Sequence, residues 1–293
     1  MGISVENLVM EYKKGTKSLD HVNLDIEHGI YGLLGENGAG KSTLMKILVT
    51  LLTPTEGIVE INGIHLERKN YELIKKEIGY LPQELGIYPN LTVRESLEYV
   101  GIMSGLKKKE YEERIDYYLD MTGLTEQQRK KNRQLSGGMK RRVGLVQALL
   151  HNPGILIVDE PTTGLDPEER IRIRNLLVDF AAERTVLFST HVTEDLAATC
   201  DKLCILRKGK LTYDGSITNL VSCAEDHVFR CSFQNEKDFQ EFQRKYRVTS
   251  KIYKANEIEV RFVNKRKPDF PCELCVPNLE DAYIYNMYVR ETV

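Results

Sequence analysis

The stretch Gly35-Glu36-Asn37-Gly38-Ala39-Gly40-Lys41-Ser42-Thr43 constrains this chain more than any other. It satisfies the template G-x-x-x-x-G-K-[ST] at every fixed position. The apolar run Ile30-Tyr31-Gly32-Leu33-Leu34 before it reads as a buried strand, and Thr43-Leu44-Met45-Lys46-Ile47-Leu48 after it has helical apolar spacing. Glycines at 35, 38 and 40 let the backbone bend so that successive N–H groups point inward. The helix that follows aims its positive end at the same point. Such a loop is built for a polyphosphate: the Lys41 ammonium can reach β- and γ-phosphates, and the Ser42 hydroxyl is a ligand for Mg²⁺. A glycine-rich turn ahead of an ordinary helix would not need the whole motif, with a strand before it and a helix after.

A length of 293 residues suggests two domains. A net charge of −2 gives no global footprint for nucleic acid. The longest apolar run, Ile47 to Leu52, is far short of the roughly 20 residues a bilayer requires. Met1 to Glu6 lacks a basic segment leading into an apolar one, so no secretory signal is expected, and Glu6 stands where a myristoylation signal would carry Ser or Thr. Six cysteines, Cys200, Cys204, Cys223, Cys231, Cys272 and Cys275, lie in the last third. Cys272-Glu273-Leu274-Cys275 is a C-x-x-C, but no second such pair or paired histidine completes four zinc ligands, so reduced thiols are expected.

The order of elements predicts an α/β chain. Alternation predicts strands from Ile3 and over Val22–Ile26, separated by a turn at Lys13-Lys14-Gly15; Ile58–Gly63 is a further strand ending in an Asn-Gly turn. The first residues thus form a small antiparallel sheet beside a parallel core. Ile78–Gln83 is a strand that stops at proline. About 92 to 152 is mostly helical, opened by Thr92 and Glu95 at the spacing of a capping box. The run Lys107-Lys108-Lys109 reads as a solvated helix face, diluted by Glu112 and Glu113. Ile155–Val158 and Arg184–Ser189 are buried strands flanking a helix from Pro167 to Ala182, and 203–206 with 210–213 form a hairpin around Lys208-Gly209. Beyond about residue 222 the texture changes to strands over 228–233, 248–253 and 258–263, a helix over 237–246 and a final helix over 279–289. These make a small α+β appendage.

Two further motifs narrow the chemistry. Leu156-Ile157-Val158-Asp159-Glu160-Pro161 places paired carboxylates at the exit of a buried strand. Asp159 is suited to Mg²⁺, and Glu160 to polarising a water in line with the γ-phosphate. Leu135-Ser136-Gly137-Gly138 before a helix offers a second anion-binding start. Alone it would be an ordinary helix cap. One ATP needs only one such start in cis, and a head-to-tail dimer uses both.

With these motifs in order, the chain resembles the ATP-binding subunits of ABC transporters over about residues 2–220, and Leu135–Gly138 matches that superfamily's signature. The resemblance implies a P-loop cassette at 1–221: a mainly parallel sheet with helices, an antiparallel β subdomain and a helical subdomain at about 84–152. A C-terminal domain occupies 222–293. By resemblance Tyr12 stacks on adenine, and Gly35, Glu36, Asn37, Gly38, Ala39, Gly40, Lys41, Ser42 and Thr43 hold the phosphates. Gln83 touches Mg²⁺ and the attacking water, and Asp166 lies in the loop that crosses the dimer interface. His191 contacts the γ-phosphate, while Ser136, Gly137 and Gly138 reach the partner's ATP. With Glu160 present, an active ATPase is expected, working as a homodimer on a separate membrane permease, at the cytoplasmic face of the cell membrane and without nucleic acid. Pro277-Asn278-Leu279-Glu280-Asp281-Ala282-Tyr283 resembles a C-terminal segment of type-2 ABC exporter ATPases. An importer ATPase or a soluble, non-transport ABC ATPase is the alternative.

Overall fold

The structure, a computed structural model, describes residues 2–13 and 15–290. Lys14, in the expected first turn, lies outside the described residues. Strands β1 (Ile3–Lys13) and β2 (Thr16–Ile26) pair antiparallel. Strand β3 (Gly29–Leu34) feeds the phosphate loop and α1 (Lys41–Leu48) leaves it. Strands β4 (Glu56–Ile61) and β5 (Ile64–His65) then complete an antiparallel sheet of order β2-β1-β4-β5. Helix α2 (Tyr71–Glu77) leads into β6 (Ile78–Leu81). The helical stretch comprises α3 (Val93–Met103), α4 (Lys108–Met121) and α5 (Gly137–Leu149). Thr92 and Glu95 form the expected capping box on α3. On α4 the basic run pairs outward, Lys108 with Glu112 at 3.8 Å and Lys109 with Glu113 at 3.9 Å.

The chain then alternates through β7 (Ile155–Asp159), α6 (Pro167–Ala181), β8 (Thr185–Thr190), α7 (Thr193–Ala197), β9 (Lys202–Arg207), β10 (Lys210–Ser216) and α8 (Ile217–Ser222). The main sheet has the order β10-β9-β3-β8-β7-β6, parallel except for β10 at one edge. Residues of β7 alternate between two apolar cores. Ile155 and Ile157 join the one with α1 and the antiparallel sheet, and Leu156 and Val158 join the one with the helices. Burial on both faces is why this segment reads as an unbroken apolar run.

The chain beyond residue 227 forms β11 (Val228–Phe233), α9 (Glu236–Gln243), β12 (Arg247–Tyr253), β13 (Ile258–Val263) and β14 (Glu273–Leu274), in a sheet of order β12-β13-β11-β14. Phe229, Phe239, Phe242 and Phe262 give this sheet a core of its own. Helix α10 (Leu279–Tyr285) belongs elsewhere: Leu279, Ala282 and Tyr285 pack into the helical core of the main sheet. The expected helix to Val289 is shorter than its pattern, because Asn286–Arg290 widen into a π turn.

The cysteines of the C-x-x-C pair flank β14 on either side. Register sets Arg230 opposite Glu273, so Cys272 neighbours Cys231. All six cysteines are free, and among the described residues no cluster of three or more His, Cys, Asp or Glu could hold a metal.

Candidate functional site

Four motif segments leave the carboxyl ends of adjacent parallel strands: the phosphate loop after β3, Gln83 after β6, Glu160 after β7 and His191 after β8. Open α/β sheets bind ligands at that rim. A cavity of about 370 Å³ opens there, lined by Glu36, Asn37, Gly38, Gly40, Lys41, Ser42 and Thr43 together with Ser18, Gln83, Asp159, Glu160, Thr163 and His191. Size alone would mislead: a larger cleft of about 750 Å³ between α4 and α6 contains none of the motif residues.

The phosphate loop takes its shape from two different constraints. Gly40 sits at φ +110°, and a Cβ there would lie 2.6 Å from the Ser18 carbonyl oxygen. Gly35 has no unusual φ. Its need is close approach, since a Cβ would lie 2.5 Å from the Leu206 carbonyl oxygen. Lys41 Nζ donates to the carbonyls of Gly35 at 2.6 Å and Glu36 at 3.3 Å, and lies 3.9 Å from Glu160 Oε1. Burial pushes its ammonium pKa down, while the charges of Glu160 and Asp159 oppose that shift. A triphosphate entering the loop would supply the missing counter-charge.

The carboxylate pair is buried, Asp159 and Glu160 each at 4% exposure. Asp159 Oδ1 accepts from Ser189 Oγ at 2.5 Å, and the Glu160 carboxylate accepts from Thr163 Oγ1 at 2.8 Å and from His191 Nδ1 at 2.8 Å. Glu160 also has a left-handed backbone, φ +50°, held by its N–H to Ser189 and its carbonyl to Arg141. Non-glycine residues kept in that region cluster where the surrounding structure enforces a functional geometry.

The remaining expected residues sit differently. Gly35 and Ala39 frame the loop without lining the cavity, and Tyr12 stands at the rim, its ring exposed and its hydroxyl 3.3 Å from Thr43 Oγ1. Ser136, Gly137, Gly138 and Asp166 are not among the cavity residues. Ser136 caps α5 by accepting from the Met139 N–H at 3.2 Å, and Asp166 caps α6 by accepting from the Glu169 N–H at 3.0 Å.

Sequence reasoning missed three groups that hold the site. Ser18 Oγ lies 2.8 Å from Thr43 Oγ1, and no local pattern marks it. Asp195 on α7 is buried, accepts from Thr162 Oγ1 at 2.6 Å and pairs with Arg174 at 3.2 Å, tying the segment after His191 to the one after Glu160. The buried Arg141 guanidinium donates to the carbonyls of Pro82, Gln83, Glu160 and Pro161. Its only signal is an Arg-Arg doublet on a helix too buried for ordinary surface charges.

The family model described as "ABC transporter" matches residues 19–163. The bacitracin transport ATP-binding protein BcrA of Bacillus licheniformis is 40% identical over 224 residues, 75% of this chain and 72% of that protein. The methionine import ATP-binding protein MetN of Halalkalibacterium halodurans is 34% identical over 227 residues, 75% of this chain and 67% of that protein. Among solved structures, the dimeric ATP-binding cassette MJ0796, in a post-hydrolysis state bound to ADP and Pi, superposes with a TM-score of 0.67 at 29% identity, covering 73% of this chain and 98% of that one. Sequence, fold and the rim of gathered motifs agree, and this chain belongs to the ATP-hydrolysing ATP-binding proteins of the ABC transporter family.

Proposed function

We propose that the chain is the motor subunit of an exporter, binding Mg-ATP in the cavity at β3, β6, β7 and β8 and closing head-to-tail with a second copy. What carries the reading is how the motifs divide. Lys41, Ser42, Gln83, Asp159, Glu160 and His191 face one cavity, whereas Ser136, Gly137, Gly138 and Asp166 lie outside it. The first set can grip and hydrolyse the nucleotide; in the second, Ser136, Gly137 and Gly138 are free to cap the γ-phosphate held by the partner copy, and Asp166 to lie in the loop that crosses the interface. Ser42, Asp159 and Gln83 suit Mg²⁺, a hard ion that takes one carboxylate, a hydroxyl and phosphate oxygens rather than an all-protein cage. When bound, the ion neutralises developing phosphate charge. Lys41 supports the γ-phosphate, Glu160 draws a proton from the attacking water, and His191 orients that carboxylate. Tyr12 supplies a stacking face at the rim.

Among the described residues no helix is long and apolar enough to cross a membrane, and the cargo path in this reading belongs to a separate permease. The segment Pro277–Tyr283 supports export. The test is reconstitution of the chain with the membrane protein encoded beside it, in proteoliposomes. ATP hydrolysis stimulated by that protein, with cargo moved away from the ATP-facing side, is the expected result. Absence of a complex overturns the permease assignment, and movement toward the ATP-facing side overturns export.

A further inference from the structure

We propose that Tyr288, at the far end of the chain, is a positioning residue for the phosphate loop: its hydroxyl clamps the Glu36 carboxylate and so sets how well the loop accepts a nucleoside triphosphate. The inference rests on reading the cavity at that loop as an ATP site. Tyr288 Oη donates to Glu36 Oε1, a contact between residues 252 positions apart. Glu36 is the residue of the loop where this matters. Its carbonyl accepts from the Ala39 N–H at 3.1 Å and from Lys41 Nζ at 3.3 Å, so its backbone is part of the anion nest. Its side chain, however, brings a negative charge to the wall of a cavity meant for a triphosphate. Like charges that close repel.

The contact is built rather than incidental. Ala282, Tyr285 and Met287 are buried in the helical core and fix the path of α10. The π turn then widens the helix and carries Tyr288 to the loop. The guanidinium of Arg207, at the end of β9, lies 5.3 Å from the Tyr288 ring centroid, and that of Arg247, at the start of β12, lies 4.9 Å from it. Both are within cation–π range. Tyr283 is a second phenol near the same carboxylate, its pKa pushed up to about 12 by burial and then by Glu36's charge. The main sheet and the C-terminal sheet thus hold the tyrosine of the last helix that grips one side chain of the phosphate loop, and a released Glu36 would swing toward the phosphates.

The test uses the full chain and Tyr288→Phe, which keeps the ring between the two arginines and removes only the donor. ATP affinity is measured by calorimetry, with kcat and KM from steady-state hydrolysis. The expected result is a dissociation constant and KM raised about 3–10-fold, the size of an ordinary net hydrogen bond because the contact is open to solvent, with kcat within about two-fold. In a Glu36→Gln background, where no charge remains to restrain, Tyr288→Phe is expected to change affinity by less than about 1.5-fold. Unchanged affinity in Tyr288→Phe, or the same penalty in both backgrounds, overturns the clamp. Failure of the unaltered chain to bind ATP instead overturns the cavity reading, and the clamp with it.

Discussion

His191 Nδ1 lies 2.8 Å from Oε2 and 3.0 Å from Oε1 of Glu160, joining the residue after β8 to the residue after β7. An ionised carboxylate can only accept, so the contact assigns the proton to Nδ1 and steadies a carboxylate that lies 3.9 Å from the Lys41 ammonium. The imidazole therefore fixes the carboxylate that would take a proton from water.

Glu160→Gln preserves shape and removes the base. ATP binding is expected to survive, while turnover falls roughly 10²–10⁴-fold, the usual size of a lost general base. Single-turnover hydrolysis checks this, and wild-type turnover would remove Glu160 from that role. His191→Ala should lower turnover as well, because the carboxylate loses its orienting partner.

Arg141 is a positioning residue of a different kind. One guanidinium satisfies carbonyls at Pro82 (2.8 Å), Gln83 (2.8 Å), Glu160 (2.6 Å) and Pro161 (3.1 Å), locking α5, the exit of β6 and the exit of β7 together. Arg141→Met leaves those buried acceptors unpaired at about 1–3 kcal/mol each before relaxation. A stability loss of about 3 kcal/mol and a fall in kcat larger than any rise in KM are expected. Lysine, without the planar fork, should restore only part of both. Urea denaturation and steady-state kinetics on the two variants give the comparison.

Ser136→Arg separates capping from assembly. Losing the bond from the Met139 N–H costs about 1 kcal/mol of helix stability, which a melting curve reads. The bulky cation should also abolish nucleotide-dependent dimers of a hydrolysis-dead chain in light scattering. Persistent dimers would mean that this helix start does not meet the partner's nucleotide.

What could be read in advance follows from how local each signal is. The phosphate loop, the apolar run of β7 and the capping box at Thr92 are contiguous patterns, and each lies where its pattern requires. Short helices such as α7 and α8, with five and six residues, carry too few turns for periodicity to register. Ser18, Asp195 and Tyr288 reach the site by tertiary placement alone, and a residue 252 positions from its partner leaves no spacing to detect. The end of the chain illustrates the same limit: its apolar spacing matched a continued helix, and nothing local marked the π turn.

The segment at Pro277–Tyr283 has a structural logic that its resemblance did not supply. Asn278 caps α10 and the buried Asp281 answers as the third helical residue. Asp281 also accepts from Thr249 Oγ1 at 2.7 Å and pairs with Arg261 at 2.5 Å, fastening α10 to β12 and β13. Asp281→Ala strands a partly exposed guanidinium as well as the cap. Discounting the usual loss for a buried pair by that exposure gives about 2 kcal/mol. Asp281→Asn should keep the cap and recover part of it. A loss under about 0.5 kcal/mol in chemical denaturation would show that the last helix is held by apolar packing alone.

Alkali should find the fold's weak point in its buried acids. Burial pushes the Cys200 thiol up to about 12, Cys204 still further, and the Tyr80 phenol up to about 12, against ordinary values of 9.0 for a thiol and 10.0 for a phenol. A folded-state pKa raised above the unfolded value means the neutral form is favoured by folding. The stabilisation is complete below about pH 9 and is lost as pH climbs toward the folded values. Between pH 8 and 10.5 a single such thiol forfeits about 2 kcal/mol, because the unfolded chain ionises freely while the core does not. The urea midpoint should therefore fall steeply over that interval. Cys200→Ala, which removes one of the groups, should fall less steeply. Equal midpoints at both pH values would mean that these groups ionise in place, and that the core around β9 admits water.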